Sequence, residues 1–445
     1  MNAPSPEHLA ANPLDAAAAA LIGAPAGPLR LADLRRHQFE RLRETVAWAQ
    51  QKSPFYRRLL AGIDAQSLRT ADDLCRLPFT TADDLRRNDP PLVCVSQDEV
   101  SHVVTLETSG TQGPAKRLYF LPGDQVATRD FFVHGMSVFT RPGDRVAILF
   151  PGGRAGSVGD LLAHALRGFG AEPLVADWPQ DPAATARAMR EFRPDVVAGA
   201  PVAVLAVARH DAAGKHEPLR VRSALLSSDR AGASLRAALT GLWGCEVYDH
   251  YGMTEMGLGG GVDCPVHAGY HMREAELLFE VVDPATGAPV PEGAVGEVVV
   301  TTLTRRGLPL IRYRTGDLSR IVPGACACNS PLLRLDRIAG RLGAGVDLGT
   351  GELSMAMLDE ALFALPKVID FAATCRLGKA PRLHVDIATL PGGGRLDALR
   401  TALTGIPVLA QAIARRRLHL SIAVAADGRL RTRVGKRRIA VDNAA

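Results

Sequence analysis

From Arg145 to Asp249 the chain alternates short apolar runs with amphipathic stretches. Arg145–Phe150, Glu172–Ala176, Asp195–Gly199, Ala224–Ser227 and Glu246–Tyr248 read as strands, and Asp160–Gly168, Ala184–Phe192, Val202–Arg209 and Ser234–Leu242 carry apolar residues at helical spacing. Alternation of this kind predicts a mostly parallel sheet flanked by helices. Upstream, Leu34, Phe39, Leu42 and Val46 predict a helix over Leu31–Gln51, with Pro54 as its stop. After Gly259 the pattern turns to strands, Glu276–Val282 and Gly296–Leu303, with Pro289-Val290-Pro291-Glu292-Gly293 as turn chemistry between them. From about Arg341 a smaller unit is predicted, with helices Met355–Phe363 and Leu396–Leu403 and strands Phe371–Arg376, Arg382–Ile387 and Leu418–Ala423. The expected organisation is a flexible arm over 1–30, a large α/β domain over 31–340 and a small α+β domain over 341–445.

Composition narrows the function classes. Hydrophobic residues make up 47% and charged residues 22%, the balance of a chain that folds around a core. No apolar run approaches the ~20 residues that span a bilayer, so no membrane role is expected. The net charge of +5 is small for 445 residues and aromatic content is 5%, which argues against nucleic acid as a partner. The start, Met1-Asn2-Ala3-Pro4-Ser5-Pro6-Glu7, does not read as a signal peptide, and a cytoplasmic location is expected. Seven cysteines without such a signal argue against a disulfide framework. Cys75, Cys94, Cys245 and Cys375 read as small core residues.

Three stretches carry candidate chemistry. Thr108-Ser109-Gly110-Thr111-Gln112-Gly113-Pro114-Ala115-Lys116 has the small hydroxyls and glycines that bring donors close to phosphate oxygens, with a lysine for charge. It is not a Walker loop, and by itself such a stretch is usually just a loop. Tyr248-Asp249-His250-Tyr251-Gly252-Met253-Thr254-Glu255 follows an apolar strand, where open α/β sheets bind ligands. A carboxylate there can hold Mg²⁺, a threonine can bond a phosphate and a tyrosine can stack on a base; a solvated polar loop is the alternative. In Arg312-Tyr313-Arg314-Thr315-Gly316-Asp317-Leu318, the aspartate can accept both ribose hydroxyls and an arginine can neutralise charge, or the segment is a salt-bridged hairpin.

In this order and spacing, with Gly435-Lys436 near the C-terminus, the three stretches resemble the acyl-adenylate-forming enzymes. Ser53-Pro54-Phe55-Tyr56-Arg57, Leu77-Pro78-Phe79-Thr80-Thr81 and the run from Gly296 into Asp317 resemble the phenylacetate–coenzyme A ligase-like branch in particular. The resemblance implies a large ATP- and acid-binding domain and a mobile C-terminal lid. It implies that Ser109, Gly110, Thr111, Gly113 and Lys116 cradle the β- and γ-phosphates of ATP. Thr254 is then the α-phosphate ligand, Glu255 the Mg²⁺ carboxylate, Asp317 the ribose ligand and Tyr251-Gly252 part of the nucleotide site. Ser228 and Asp229 lie beside the adenine, Arg341 begins the hinge and Lys436 meets the carboxylate and the α-phosphate during adenylation. Phe131–Met136 and Gly152–Ser157 are the expected lining of the acid pocket. The implied reaction is activation of a small-molecule carboxylic acid, aromatic acids included, followed by transfer to coenzyme A. A homodimer is the assembly to test.

Two features stand apart. Relatives carry an aspartate where this hinge has Gly343, which supports adenylation better than thioester formation. It keeps open a non-CoA acceptor, an amine or a protein thiol, and a nucleotide-binding protein that has lost catalysis. Cys264, His271, Cys326 and Cys328 offer three thiolates and an imidazole, the donor set of a closed structural Zn²⁺ site, with His267 as the alternative fourth ligand.

Overall fold

The computed structural model describes residues 12–24, 27–106, 115–378, 381–432 and 435–443. Two compact units share the chain: residues 1–139 with 250–339, and residues 140–249 with 340–445.

The second unit holds the parallel sheet. Its strands run in the order Glu172–Val175, Arg145–Leu149, Val196–Gly199, Ser223–Leu226 and Glu246–Tyr251, every pairing parallel. The last strand ends with His250 and Tyr251, which belong to the first unit. Val196, Val197 and Ala198 are all buried, as expected of strands covered on both faces. Helices Val158–Phe169, Pro182–Phe192, Pro201–Ala212 and Ala233–Trp243 connect them, close to the predicted bounds. The helix Pro182–Phe192 shows why the alternation is so regular: proline opens its first turn and Asp181 caps it by accepting from the Ala184 N–H at 3.0 Å.

The remainder of this unit is the α+β segment. Strands His419–Ala425, Arg382–Thr389, Val368–Leu377 and Ala440–Asn443 form one mixed sheet, with helices Met355–Phe363, Leu396–Thr404 and Pro407–Ala414. The pattern predicts two helices here; the third starts on Pro407, separated from the previous one by Gly405 and Ile406, and its eight residues are too few to show periodicity of their own.

The first unit is built on an antiparallel sheet, Leu277–Val282, Gly296–Thr302 and Tyr313–Ser319, with Leu277 opposite Thr302 and Gly296 opposite Ser319. The run Val298-Val299-Val300-Thr301-Thr302 is wholly buried, which suits β-branched residues at the centre of a sheet. Helix Leu31–Lys52 packs its Leu42, Val46 and Ala49 into a core with Leu278, Leu303 and Ile311. Pro54 does more than stop that helix. It opens a second, Pro54–Leu59, capped by the Ser53 hydroxyl, which accepts from the Tyr56 N–H. The stretch expected as a flexible arm contains a helix, Pro13–Leu21, with Leu14 and Ala18 buried; the alanine run that obscured its pattern is a strong helix former. Cys94, Cys245 and Cys375 are buried as read, whereas Cys75 is exposed on a 3₁₀ turn. No helix among the described residues is long and apolar enough to cross a membrane.

Candidate functional site

In the first unit, two segments run side by side and are tied at both ends. Strand Tyr313–Ser319 alternates, so Tyr313, Thr315 and Asp317 share its buried face. The facing segment is the end of strand Glu246–Tyr251 and the 3₁₀ turn Thr254–Met256. The Tyr251 hydroxyl donates to Asp317 Oδ2 at 3.1 Å, and the Tyr313 hydroxyl donates to Glu255 Oε1 at 3.3 Å. Between those ties the chain has to pass tightly. A Cβ on Gly252 would lie 2.0 Å from the Leu258 carbonyl oxygen, so only glycine fits there.

Glu255 is buried and ion-paired with Lys116. Lys116 reaches it because strand Lys116–Phe120 points Lys116, Leu118 and Phe120 to the same buried face. Arg305 fastens the arrangement: one guanidinium nitrogen donates to the Glu255 carbonyl oxygen at 2.7 Å, the other to the Tyr119 carbonyl oxygen at 3.0 Å. The buried Glu255 carboxylate supplies the oxygen donors that a hard divalent cation such as Mg²⁺ takes, and Lys116 would give it up to that cation. Thr254, half-buried, opens the same turn. Ser109, Gly110, Thr111 and Gly113 lie outside the described residues.

Next to this turn, the rings of His250 and Phe131 stand 5.9 Å apart, and Gly259 lies so close to Phe131 that a Cβ would approach its ring to 2.1 Å. Burial pushes the His250 imidazole down to about 4, so it is neutral at pH 7.

The remaining expected residues lie in the second unit. Ser228 has a left-handed backbone, φ 76°, and is exposed. Asp229 accepts from the backbone N–H of Arg437 at 3.2 Å, so the segment that carries the exposed Lys436 lies against the loop with Ser228 and Asp229. Burial raises the Asp229 carboxyl, and Arg437 and Lys436 oppose that rise. Arg341 is exposed, two residues before Gly343, whose φ of 66° is one that aspartate adopts only at a cost.

The cysteine cluster closes within the first unit. Cys264, His271, Cys326 and Cys328 are buried, with ligand atoms all within 4.8 Å of one another. Cys264 follows strand Gly261–Asp263, and His271 lies on Tyr270–Met272, which pairs with that strand and with Arg334–Leu335. Cys264 Sγ lies 3.8 Å from Cys326 Sγ, and Cys328 Sγ lies 3.3 Å from His271 Nε2. Sulfur ligands at ~2.3 Å from a tetrahedral Zn²⁺ stand ~3.8 Å apart, so the donor set and its spacing fit that ion. His267 is turned elsewhere, its Nδ1 2.8 Å from Asp263 Oδ2. Hydrogen bonding from Cys264 and His271 pulls the Cys328 thiol well below its ordinary range, while the bond to Cys328 and burial push the Cys264 thiol up.

Sequence reasoning missed Arg305, Tyr313 and His250 as members of the site. Tyr313 was findable, since it alternates in phase with Asp317; Arg305 carries no local signal. Arg312 and Arg314, the two arginines beside Tyr313 that could neutralise charge, are both committed elsewhere. Arg312 is held by Glu280 at 2.8 and 3.1 Å over the Phe79 ring, and Arg314 by Glu297.

The AMP-binding enzyme family model matches residues 18–304. Phenylacetate-coenzyme A ligase of Thermus thermophilus is 33% identical over 353 residues, 76% of each chain. That of Pseudomonas putida is 32% identical, over 69% of this chain and 70% of its own. Among solved structures, 2-hydroxyisobutyryl-CoA ligase in its postadenylation state has the same fold, with a TM-score of 0.76 at 22% identity, covering 92% of this chain and 89% of that one.

Proposed function

The chain belongs to the AMP-binding enzyme family, in the phenylacetate–coenzyme A ligase-like branch of AMP-forming acid–thiol ligases, and on that premise we propose that it activates a small carboxylic acid with ATP and transfers the acyl group to coenzyme A. The observation that carries this reading is the buried Glu255 beside Lys116, on a turn tied to the strand of Asp317. In the first half-reaction a carboxylate oxygen attacks the α-phosphorus of ATP, the bond to the β-phosphate oxygen breaks and pyrophosphate leaves. In the second, a thiolate attacks the acyl carbon and AMP leaves.

No residue needs to take a proton in the first step, so its catalysis is positioning and charge neutralisation. Lys116, with Ser109, Gly110, Thr111 and Gly113, takes the β- and γ-phosphates; Thr254 takes the α-phosphate and Asp317 the ribose hydroxyls. Glu255 is the carboxylate to hold Mg²⁺, which shields phosphate charge when bound. Ser228 and Asp229 flank the adenine, and Lys436 steadies the charge that develops between acid and α-phosphate. Phe131 and the neutral His250 make an apolar wall suited to an aromatic or branched acid. Residues 341–445 act as the mobile lid, with Arg341 opening the hinge. Cys264, His271, Cys326 and Cys328 hold a structural Zn²⁺.

Acid-dependent exchange of labelled pyrophosphate into ATP, run over a panel of carboxylic acids, tests the first half. Lack of exchange with any acid would leave a nucleotide-binding protein without catalysis. CoA dependence of AMP release tests the second half. Gly343, standing where relatives have an aspartate, favours one alternative, an amine or protein-thiol acceptor, and turnover indifferent to CoA would establish it.

A further inference from the structure

The run Arg429–Arg438 reads as a solvated basic tail, yet one of its arginines is interior. The Arg437 side chain is 4% exposed. Its guanidinium is ion-paired with Asp359, donates to the Phe371 carbonyl oxygen at 3.1 Å, lies 3.4 Å from Asp370 Oδ1, and sits over the rings of Phe363 and Phe371 at 5.0 and 4.4 Å. Asp370 is fully buried on strand Val368–Leu377. Its other oxygen, Oδ2, accepts from the backbone N–H groups of Arg431 and Thr432, both at 2.7 Å, and from the Thr432 hydroxyl at 2.8 Å. One buried carboxylate thus grips the chain before Lys436, at 431–432, and faces the arginine that pins it just after, at 437.

We propose that Asp370 and Arg437 are positioning residues for Lys436, fixing the main chain on both sides of it so that its ammonium reaches the reacting carboxylate and α-phosphate. This deepens the reading of Lys436 as the adenylating lysine and rests on it. A lysine stem is flexible, so the placement of its charge depends on where its Cα is held. An interior anchor on each side supplies that hold without occupying the ammonium. Arginine suits the role because its planar fork serves Asp359, Asp370 and a carbonyl oxygen together, which an ammonium cannot do in the same geometry.

The test is pyrophosphate exchange with the full chain, read as kcat and KM for ATP, beside thermal melting. Asp370→Asn and Arg437→Gln should lower kcat by ~10²-fold, the scale of a small misplacement of a reacting group. KM for ATP should stay near wild type, and Arg437→Lys should recover part of the loss. Thr432→Val removes a single hydroxyl from Asp370 and should lower kcat several-fold in a protein that melts normally, so the proposal remains testable even where Asp370→Asn folds poorly. Wild-type kcat in Thr432→Val and Arg437→Gln, or a fall in kcat matched by an equal rise in KM, overturns the proposal. Lys436→Ala, run in parallel, separates the two layers. If it is slow while the anchor variants are fast, only the positioning role fails; if it exchanges at the wild-type rate, the reading of Lys436 itself fails and takes the anchors with it.

Discussion

Glu255 and Asp370 are both buried carboxylates, one in each unit, and they are held in opposite ways. Asp370 is saturated by donors that cannot leave: three backbone N–H groups and a hydroxyl, at 2.7–2.8 Å. Glu255 is held by the ends of side chains, the Lys116 ammonium and the Tyr313 hydroxyl. Backbone donors make a carboxylate into scaffolding, because losing them means undoing the fold. Side-chain donors make it exchangeable, because an incoming cation can take the ammonium's place while phosphate takes the carboxylate's. Burial alone does not separate the two; the mobility of the partners does.

That contrast breaks most visibly in activity. Glu255→Gln should cut pyrophosphate exchange by ~10²–10³-fold, the scale of losing one charge-stabilising group, and should also lower the melting temperature, because the buried Lys116 ammonium loses its counter-charge. Asp370→Asn should lower the melting temperature by several degrees as well, since it weakens charge-assisted bonds to three buried N–H donors. If Glu255→Gln melts much earlier and exchanges normally, the distinction between the two carboxylates is wrong.

The thiol cluster is a third case, polar groups whose proposed holder is a metal. Purified protein never exposed to chelator should contain about one zinc per chain by elemental analysis. Cys328→Ser should lose the metal and several kcal/mol of stability, given that structural zinc contributes directly to folding free energy. Protein that purifies without zinc, or a Cys328→Ser variant that melts like the wild type, would sink the assignment.

His250 sharpens the comparison from the neutral side. Its folded pKa, about 4, lies below the ordinary 6.5, so the unfolded chain binds the extra proton first. Its contribution to stability is present above pH 6.5 and is lost as pH falls towards 4, at most about 3 kcal/mol. His250→Asn should flatten that limb of the melting temperature against pH; an unchanged slope contradicts a buried neutral imidazole. The smallest effect belongs to Tyr251→Phe. It removes one hydroxyl from Asp317 and should raise KM for ATP only a few-fold.

The parallel sheet was legible because its strands are apolar on both faces and its helices are separated by turn residues, so each element announces itself locally. Glu255, Asp317 and Lys116 were legible only as members of an ordered set of motifs, since each of them alone reads equally well as a surface residue. What was not legible is what depends on partners far away in the chain. Arg437 looks like its solvated neighbours until Asp359, Asp370 and two phenylalanine rings are folded around it. Likewise His271 and His267 are equivalent as text, and only the pairing of Val262 with His271 turns one inward while Asp263 claims the other.

The Lys116–Glu255 pair has a consequence for which form of nucleotide is welcome. Within the pair each charge answers the other. A bare nucleotide would draw the ammonium to its phosphates and take the nearest counter-charge from a buried carboxylate, a costly state. A nucleotide that arrives with its cation offers a partner to each, so the pair separates without leaving either charge alone. On this account the ion pair acts as a filter against uncomplexed ATP, and excess free nucleotide should compete poorly for the site.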